Sequence, residues 1–368
     1  MVATTLAHTW EDLAGAALPS RRLEDWRFTD LTALTAIEPR PWSGADPFAA
    51  LQLPAGVTRL SDADLAAVAG QTLGRTGCDG HWPVGLNAQA SPVRLGLRVA
   101  AHTAPQALVV QLDAGAQGEL LAVHLVLQLE PGASLQLAQR VSATGAGVVS
   151  LVCEADLATD AQLDWGLVAQ GQADAALLGH LAVVQAPGST LNLTAVTAGW
   201  ALSRLEPRVL QAGGAAHTRL RGLQWVDGHQ LADTHSLVRF EGPDGQLDQL
   251  HKTVAAGAGR SVFNGAVQVP QLAQRTDAAQ LSRSLLLSDR ARVDTKPELE
   301  IVADDVKCAH GATVSRLQQE ELFYLQSRGI GADQAARLLL AGYCQDVLRE
   351  LPTAAAGWQP LAKQLLEP

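Results

Sequence analysis

Cys308 and His310 stand two apart in the segment 303–314, ADDVKCAHGATV. In an extended chain side chains alternate between faces, so Asp304, Val306, Cys308 and His310 would share one face. A thiolate and an imidazole pointing the same way suit iron, zinc or copper(I). They fall short of a complete cluster site, because iron–sulfur clusters take about four protein ligands, mostly cysteines. The other cysteines, Cys78, Cys153 and Cys344, are distant in sequence, and no C-x-x-C pair occurs. That excludes a zinc knuckle and a self-contained cluster motif. Each of the four reads by default as a small buried hydrophobe in a reducing compartment. A cluster at Cys308 and His310 would draw its missing ligands from elsewhere, most naturally from another subunit. By itself the C-x-H pair is more often structural. Asp304 and Asp305 could serve acid–base chemistry, but read better as a solvent-facing turn cap. His217, His229, His235 and His251 lie in or beside strand patterns and read as structural or surface residues. Lys296–Pro297–Glu298 reads as a rigid turn leading into a strand.

The elements that must position this pair are legible from about Val93 onward. Period-two alternation appears in LVVQL, LQLAQRV, VVSLVCEADL and LDWGLV, with turn residues between. Runs recur at Leu135, Leu163, Leu191 and His217, spaced by 28, 28 and 26 residues. Such a period marks a solenoid. It is too long for hexapeptide coils and suits several short parallel strands per coil, each coil stacking on the next. The reading is a mainly β fold, a right-handed parallel β-helix with helical regions at both ends; a β-sandwich is the alternative. The expected organisation is an N-terminal helical region and linker over residues 1–92, the β-helix over 93–314, and a C-terminal helical region over 315–368.

Within the first region, residues 21–34, RRLEDWRFTDLTAL, have helical spacing, and Pro39, Pro41 and Pro47 break it. Ser61 is a candidate N-cap for a helix reaching Leu73, and Gly77–Pro92 reads as a linker or the approach to a strand. In the last region a helix should end at Gly329 in the left-handed conformation. A second should start near Asp333 and stop before Pro352. Its apolar stripe, Leu338, Leu339, Val347, Leu348 and Leu351, would pack back as a cap on the open end of the solenoid, a role compatible with docking a partner.

The chain has 368 residues, 47% hydrophobic, 17% charged and 4% aromatic, with a net charge of −10. A sizeable core of Leu, Val and Ala follows. The acidic, interspersed charge argues against nucleic-acid binding, which needs a basic face. No apolar run approaches a membrane span, and the first residues do not read as a secretory signal, so a soluble cytoplasmic protein is expected.

Several stretches from Gly214 to Ile330 resemble the core of the SufB/SufD family of the SUF iron–sulfur cluster assembly system: GRSVFNGAVQV, QRTDAAQLSRSLLLSD, VDTKPELEIVADDVKCAHGATV and ELFYLQSRGI. CAHG resembles the CSHG of the SufD branch, and EDWRFTDL is similar to the opening segment of that branch. Between about Trp42 and Val209 the match is weak. The resemblance implies a scaffold rather than an enzyme: a subunit of a complex with SufB and a pair of SufC ATPase subunits. SufC would dock on the C-terminal helices, through Leu338, Leu339, Val347, Leu348 and Leu351. His310 would take part in building a nascent cluster at the SufB interface, with Cys308 beside it. No cofactor would be held stably by the chain alone; a transient cluster, and room for a reduced flavin, would belong to the complex. The isolated chain could pair with itself. One departure is Phe240, where many relatives carry a second histidine after the one matching His235. Two other readings compete: a carbohydrate-active enzyme on a β-helix, disfavoured by the scarcity of aromatics, and a purely structural brace for SufB.

Overall fold

The computed structural model describes residues 9–115, 118–172 and 174–358. Parts of both expected helical regions, residues 1–8 and 359–368, lie outside the described residues. Sixteen described strands between Val93 and Ser315, most of about ten residues, alternate between two sheets. Except at the two ends, each pairs in parallel with the strand two before it and the strand two after it, so the chain winds as a β-solenoid. Each coil therefore has two long strands, not several short ones. Residue alternation sends Leu, Val and Ala inward from both sheets, and these fill a continuous core.

The registers show why the sequence repeats. Leu135, Leu163 and Leu191 are direct partners in one inward column, which continues through Thr218, Leu247, Ala278 and Cys308. The fourth member is Thr218 rather than His217, which faces outward and is exposed. The repeat is also written in the backbone. His102, Gly132, Asp160, Gly188, Ala215, Asp244 and Arg275 all have positive φ, between 51° and 74°. They occupy one corner of successive coils. Only glycine adopts this conformation without steric cost, and at Gly188 a Cβ would come within 2.1 Å of the Asp160 carboxylate.

The amino-terminal region is less helical than its spacing predicts. Residues 21–34 form only a short 3-10 turn, Glu24–Trp26, and a four-residue helix, Thr32–Thr35. Their apolar and charged groups are instead pinned individually to the solenoid. Ser61 does cap the helix Asp62–Val68, its Oγ accepting from the Asp64 N–H at 3.1 Å. The stretch read as a linker contains a helix, Trp82–Gln89, with proline in its first turn where a missing N–H costs nothing. The buried Asn87 amide bolts it to the ten-stranded sheet, donating to the carbonyls of Val123 and Ser150 at 3.1 and 2.9 Å.

At the other end, helix Gln319–Ser327 closes as expected. Gly329 has φ of 85°, and the N–H groups of Gly329 and Ile330 reach back to Gln326 and Leu325. Helix Ala332–Leu348 does not cap the solenoid. Its Leu340, Cys344, Val347 and Leu348, with Leu351 beyond it, pack against Val168, Val196, Leu223, Val254 and Leu285 on the outer face of the eight-stranded sheet. The apolar stripe is satisfied sideways because that face carries Val and Leu on two adjacent columns. The last coil, strands Arg292–Ile301 and Lys307–Ser315, is left paired on one side only. Lys296–Pro297–Glu298 lies inside the first of these strands rather than in a turn, and proline is tolerated there because the strand is an edge. Among the described residues no helix is long and apolar enough to cross a membrane.

One buried cation fixes the carboxy-terminal helix. Lys252 is 2% exposed, and its Nζ donates to the Tyr343 carbonyl and the Asp346 carboxylate, both at 2.7 Å, while lying 4.3 Å from the Tyr343 ring centre. Replacing Lys252 by Ala should destabilise the chain by about 2 kcal/mol, the worth of a charged hydrogen-bonded anchor. Hydrogen exchange should show faster exchange across residues 332–348 than in the strands; uniform protection would contradict the anchoring role.

Candidate functional site

The last strand, Lys307–Ser315, places Cys308 opposite Ala278 and His310 opposite Gln280. Both partners are buried inward-facing residues, so Cys308 and His310 sit on the inner face of the strand, at the open end of the solenoid. Cys308 is half-buried against the core and His310 is exposed. Burial pushes the Cys308 thiol up, with nearby Asp277 adding to the rise against a backbone hydrogen bond from Ala278. The pair is thus presented at an unpaired strand edge. Around it Ile301, Val302 and Val314 are exposed. The strand starts at Lys307 rather than at Asp304. Asp304 and Asp305 lie in the preceding turn, where Asp304 accepts from Gln271 at 3.0 Å and the Asp305 N–H is held by Gln274.

Behind this end the interior turns polar. His310 stands over Gln280, and Gln280 over Gln249. Gln280 donates to Gln249 at 2.9 Å, and Gln249 to Ser236 at 2.7 Å. His251 lies in the same interior, stacked 4.3 Å from Phe263 and 3.2 Å from the Gln224 amide oxygen. A Cβ on the neighbouring Gly222 would meet that ring at 2.3 Å, so the ring requires glycine there. Phe240 is fully buried in the main core. His229 is exposed in a turn, while His235 is buried with Nε2 3.0 Å from Asp233.

A second constellation lies on the outer face of the ten-stranded sheet, beneath the amino-terminal segment. Strand Leu202–Gln211 aims Arg204, Glu206 and Arg208 outward. Arg204, 1% exposed, reaches Glu206 at 2.7 Å, Asp233 at 2.6 Å and Thr29 at 2.9 Å, and lies 3.9 Å over the Trp26 ring. Thr29 donates in turn to Asp233. Burial alone would raise both carboxyls; Arg204, with His81 and Arg208, holds Glu206 well below the usual carboxylate range, and His235 and Arg204 keep Asp233 low. The second oxygen of Glu206 faces His81 at 3.1 Å, Arg208 at 3.3 Å and His180 at 3.7 Å. Burial keeps the His180 ring neutral, pushing it down to about 4. Beside this cluster Pro207 interrupts a central strand, and the ladder to strand Leu231–Phe240 lapses at Glu206 and Pro207. Nearby, Glu154 is buried and satisfied, accepting from the N–H groups of Gly70 and Leu73 and from His124.

None of Arg204, Glu206, Asp233, His81 or His180 stood out from the sequence. The available signal was charge at alternate positions in LSRLEPRVL, inside an otherwise apolar strand pattern. Among the described residues, one set of three His, Cys, Asp or Glu side chains converges closely enough to share an ion: His81, His180 and Glu206. Cys308 and His310 have no such third donor. Of the stripe named for docking, Leu338 is exposed and Leu339 half-buried, whereas Val347, Leu348 and Leu351 are buried against the solenoid. Phe323 and Tyr324 on the preceding helix are exposed.

Residues 111–343 match the family model described as SUF system FeS cluster assembly, SufBD core domain. An iron–sulfur cluster assembly SufBD family protein of Synechocystis is 39% identical over 206 residues, covering 56% of this chain and 46% of the relative. A chloroplastic protein of Arabidopsis thaliana, ABCI7, is 42% identical over 171 residues, 46% of this chain and 36% of its own. The iron–sulfur cluster assembly protein SufD of Escherichia coli is 39% identical over 145 residues, 39% and 34% of the two chains. Each match covers less than half of the relative's length.

The buried histidines give the fold a defined acid sensitivity. Burial pushes His180 down to about 4 and His251 to about 3, from an ordinary value of 6.5. The unfolded chain takes up these protons first, so stability is lost as pH falls below the ordinary value and levels off only below the folded values. Thermal melts should therefore show Tm falling between about pH 7 and pH 5, with each histidine contributing on the order of 1 kcal/mol per pH unit below its unfolded pKa. The variant His251→Gln should have a shallower slope; an equal or steeper one would rule out this account.

Proposed function

The chain belongs to the SufBD family of SUF-system iron–sulfur cluster assembly proteins, and from that premise we propose that it is a SufD-type scaffold subunit supplying half of a cluster-assembly site. The observation that carries this reading is the placement of Cys308 and His310. They are two soft donors on the inner face of the last strand, beside an unpaired edge and exposed Ile301, Val302 and Val314. Two donors cannot hold a cluster that needs about four ligands. An apolar, open coil end is suited to a homologous partner that brings the rest. In this reading the partner is SufB, and the cluster is cargo built at the interface and passed on.

The ATPase SufC docks on the carboxy-terminal helices. Leu338, Phe323 and Tyr324 offer apolar surface to it, with half-buried Leu339 at the margin. Val347, Leu348 and Leu351 serve by anchoring the helix, since their side chains are already covered. The complex works in the cytoplasm, and a reduced flavin would be bound by the assembled complex. Without SufB, the open coil end favours pairing with a second copy of this chain. The scaffold itself performs no turnover. The family match leaves the carbohydrate-active alternative without a supporting observation.

The substitution His310→Ala removes an exposed donor without touching the core. The expected result is normal co-purification of the variant with SufB and SufC, together with at least a several-fold loss of iron–sulfur enzyme activity in cells relying on this system. Full cluster formation in that variant would leave the chain only the role of a brace.

A further inference from the structure

We propose that His81, His180 and Glu206 form a binding site for a divalent d-block cation of the ferrous or zinc class, separate from the coil end. The three donor atoms lie within 4.8 Å of one another. In a tetrahedral site with metal–ligand bonds of about 2.1 Å, donors stand roughly 3.4 Å apart. The observed separations from the Glu206 oxygen, 3.1 Å to His81 and 3.7 Å to His180, bracket that value. His180 is fully buried, yet neither of its ring nitrogens has a hydrogen-bond partner. Buried polar atoms are seldom left so, and a bound ion would give a partner to Nδ1, the nitrogen that faces the Glu206 carboxylate.

The ligand set decides the class of ion. Arg204 occupies the first oxygen of Glu206, which leaves only the second for a metal. One carboxylate oxygen cannot satisfy calcium or magnesium, which demand oxygen shells. Two neutral imidazoles and a single carboxylate are the donors of zinc and non-haem ferrous sites, which keep a coordination position open. His81 and Glu206 line a groove with Pro19, Leu23, Trp26 and Trp82, and the His81 side chain is 26% exposed. An ion therefore has a path from solvent. Arg208 shares the same oxygen, so the bound ion is labile rather than structural.

Cobalt(II) tests this on the full chain, freed of metal and kept reduced. Titration should produce one saturable set of visible d–d bands per chain, without the intense charge-transfer band of a cobalt–thiolate bond. The double variant Cys308→Ser, His310→Ala should titrate like the parent. His81→Ala, at a partly exposed position, should weaken binding at least about tenfold, as should His180→Gln if circular dichroism shows it folded. Loss in His81→Ala alone sustains the site should His180→Gln not fold. Absence of saturable bands in the parent, or bands unchanged in His81→Ala, overturns it. Because binding is read in vitro and independently of Cys308 and His310, failure here would leave the cluster-assembly reading untouched, and the reverse also holds.

Discussion

Parallel stacking imposes one constraint from which most of the structure follows: each coil must place its residues directly over those of the coil before. Every inward position is then a member of a column that runs the length of the solenoid. A column tolerates a change of residue only if its neighbours above and below still fit. Leu135, Leu163 and Leu191 show the permissive case, and Gly222 beneath the His251 ring shows the restrictive one. The same constraint keeps one corner of seven coils left-handed, although most residues there are not glycine. The local cost of that conformation is outweighed by the ladders on either side, since a different corner would break register in both sheets.

The outer faces obey a different logic. They cannot stay apolar and bare, and each is covered by one end of the chain. The carboxy-terminal helix covers Val and Leu side chains of that face, a contact made mainly by apolar burial. The amino-terminal segment also buries apolar surface, with Trp10, Trp26 and Leu34 over Val148, Leu202 and Leu231, but adds to it a buried charged network centred on Arg204. Removing one member of such a network leaves charge unpaired in a low dielectric, which is far costlier than losing a surface ion pair. The segment EDWRFTDL is explained by this. Glu24 pairs with Lys296 at 2.8 Å, Trp26 lies under Arg204, Thr29 completes the Asp233 site, and Asp30 caps the helix at Thr32.

The sequence displayed its solenoid because alternation and period are properties of short stretches, and Leu135, Leu163 and Leu191 carry both. It hid the destination of the end regions, because amphipathic spacing says that a stripe is covered but not by what. Leu348 and Leu351 fit a cap on the coil end as well as they fit the flank of a sheet. Residues 21–34 have helical spacing, yet their side chains serve separate long-range contacts that a continuous helix could not make. Cys308 and His310 are legible because they stand two apart in one short segment. His81, His180 and Glu206 come from a loop and two strands, and nothing short-range links them. Their only local trace is the alternation of charge in LSRLEPRVL.

A solenoid of this kind would ordinarily melt from its ends, since each coil touches only its neighbours. Here both chain ends run lengthwise over many coils. Thr353 reaches Gln136 near the first coils while Tyr343 reaches Arg283 near the last. Glu24 and Lys296 meet across 272 residues of sequence. The molecule is therefore stapled along its axis, and its coils should lose structure together rather than one at a time. The staples also set an order of events during synthesis. The residues around Glu24 leave the ribosome first, but their partner at Lys296 is among the last strands made. The early segment must wait, unsatisfied, until the strand Arg292–Ile301 has emerged and its coils have stacked.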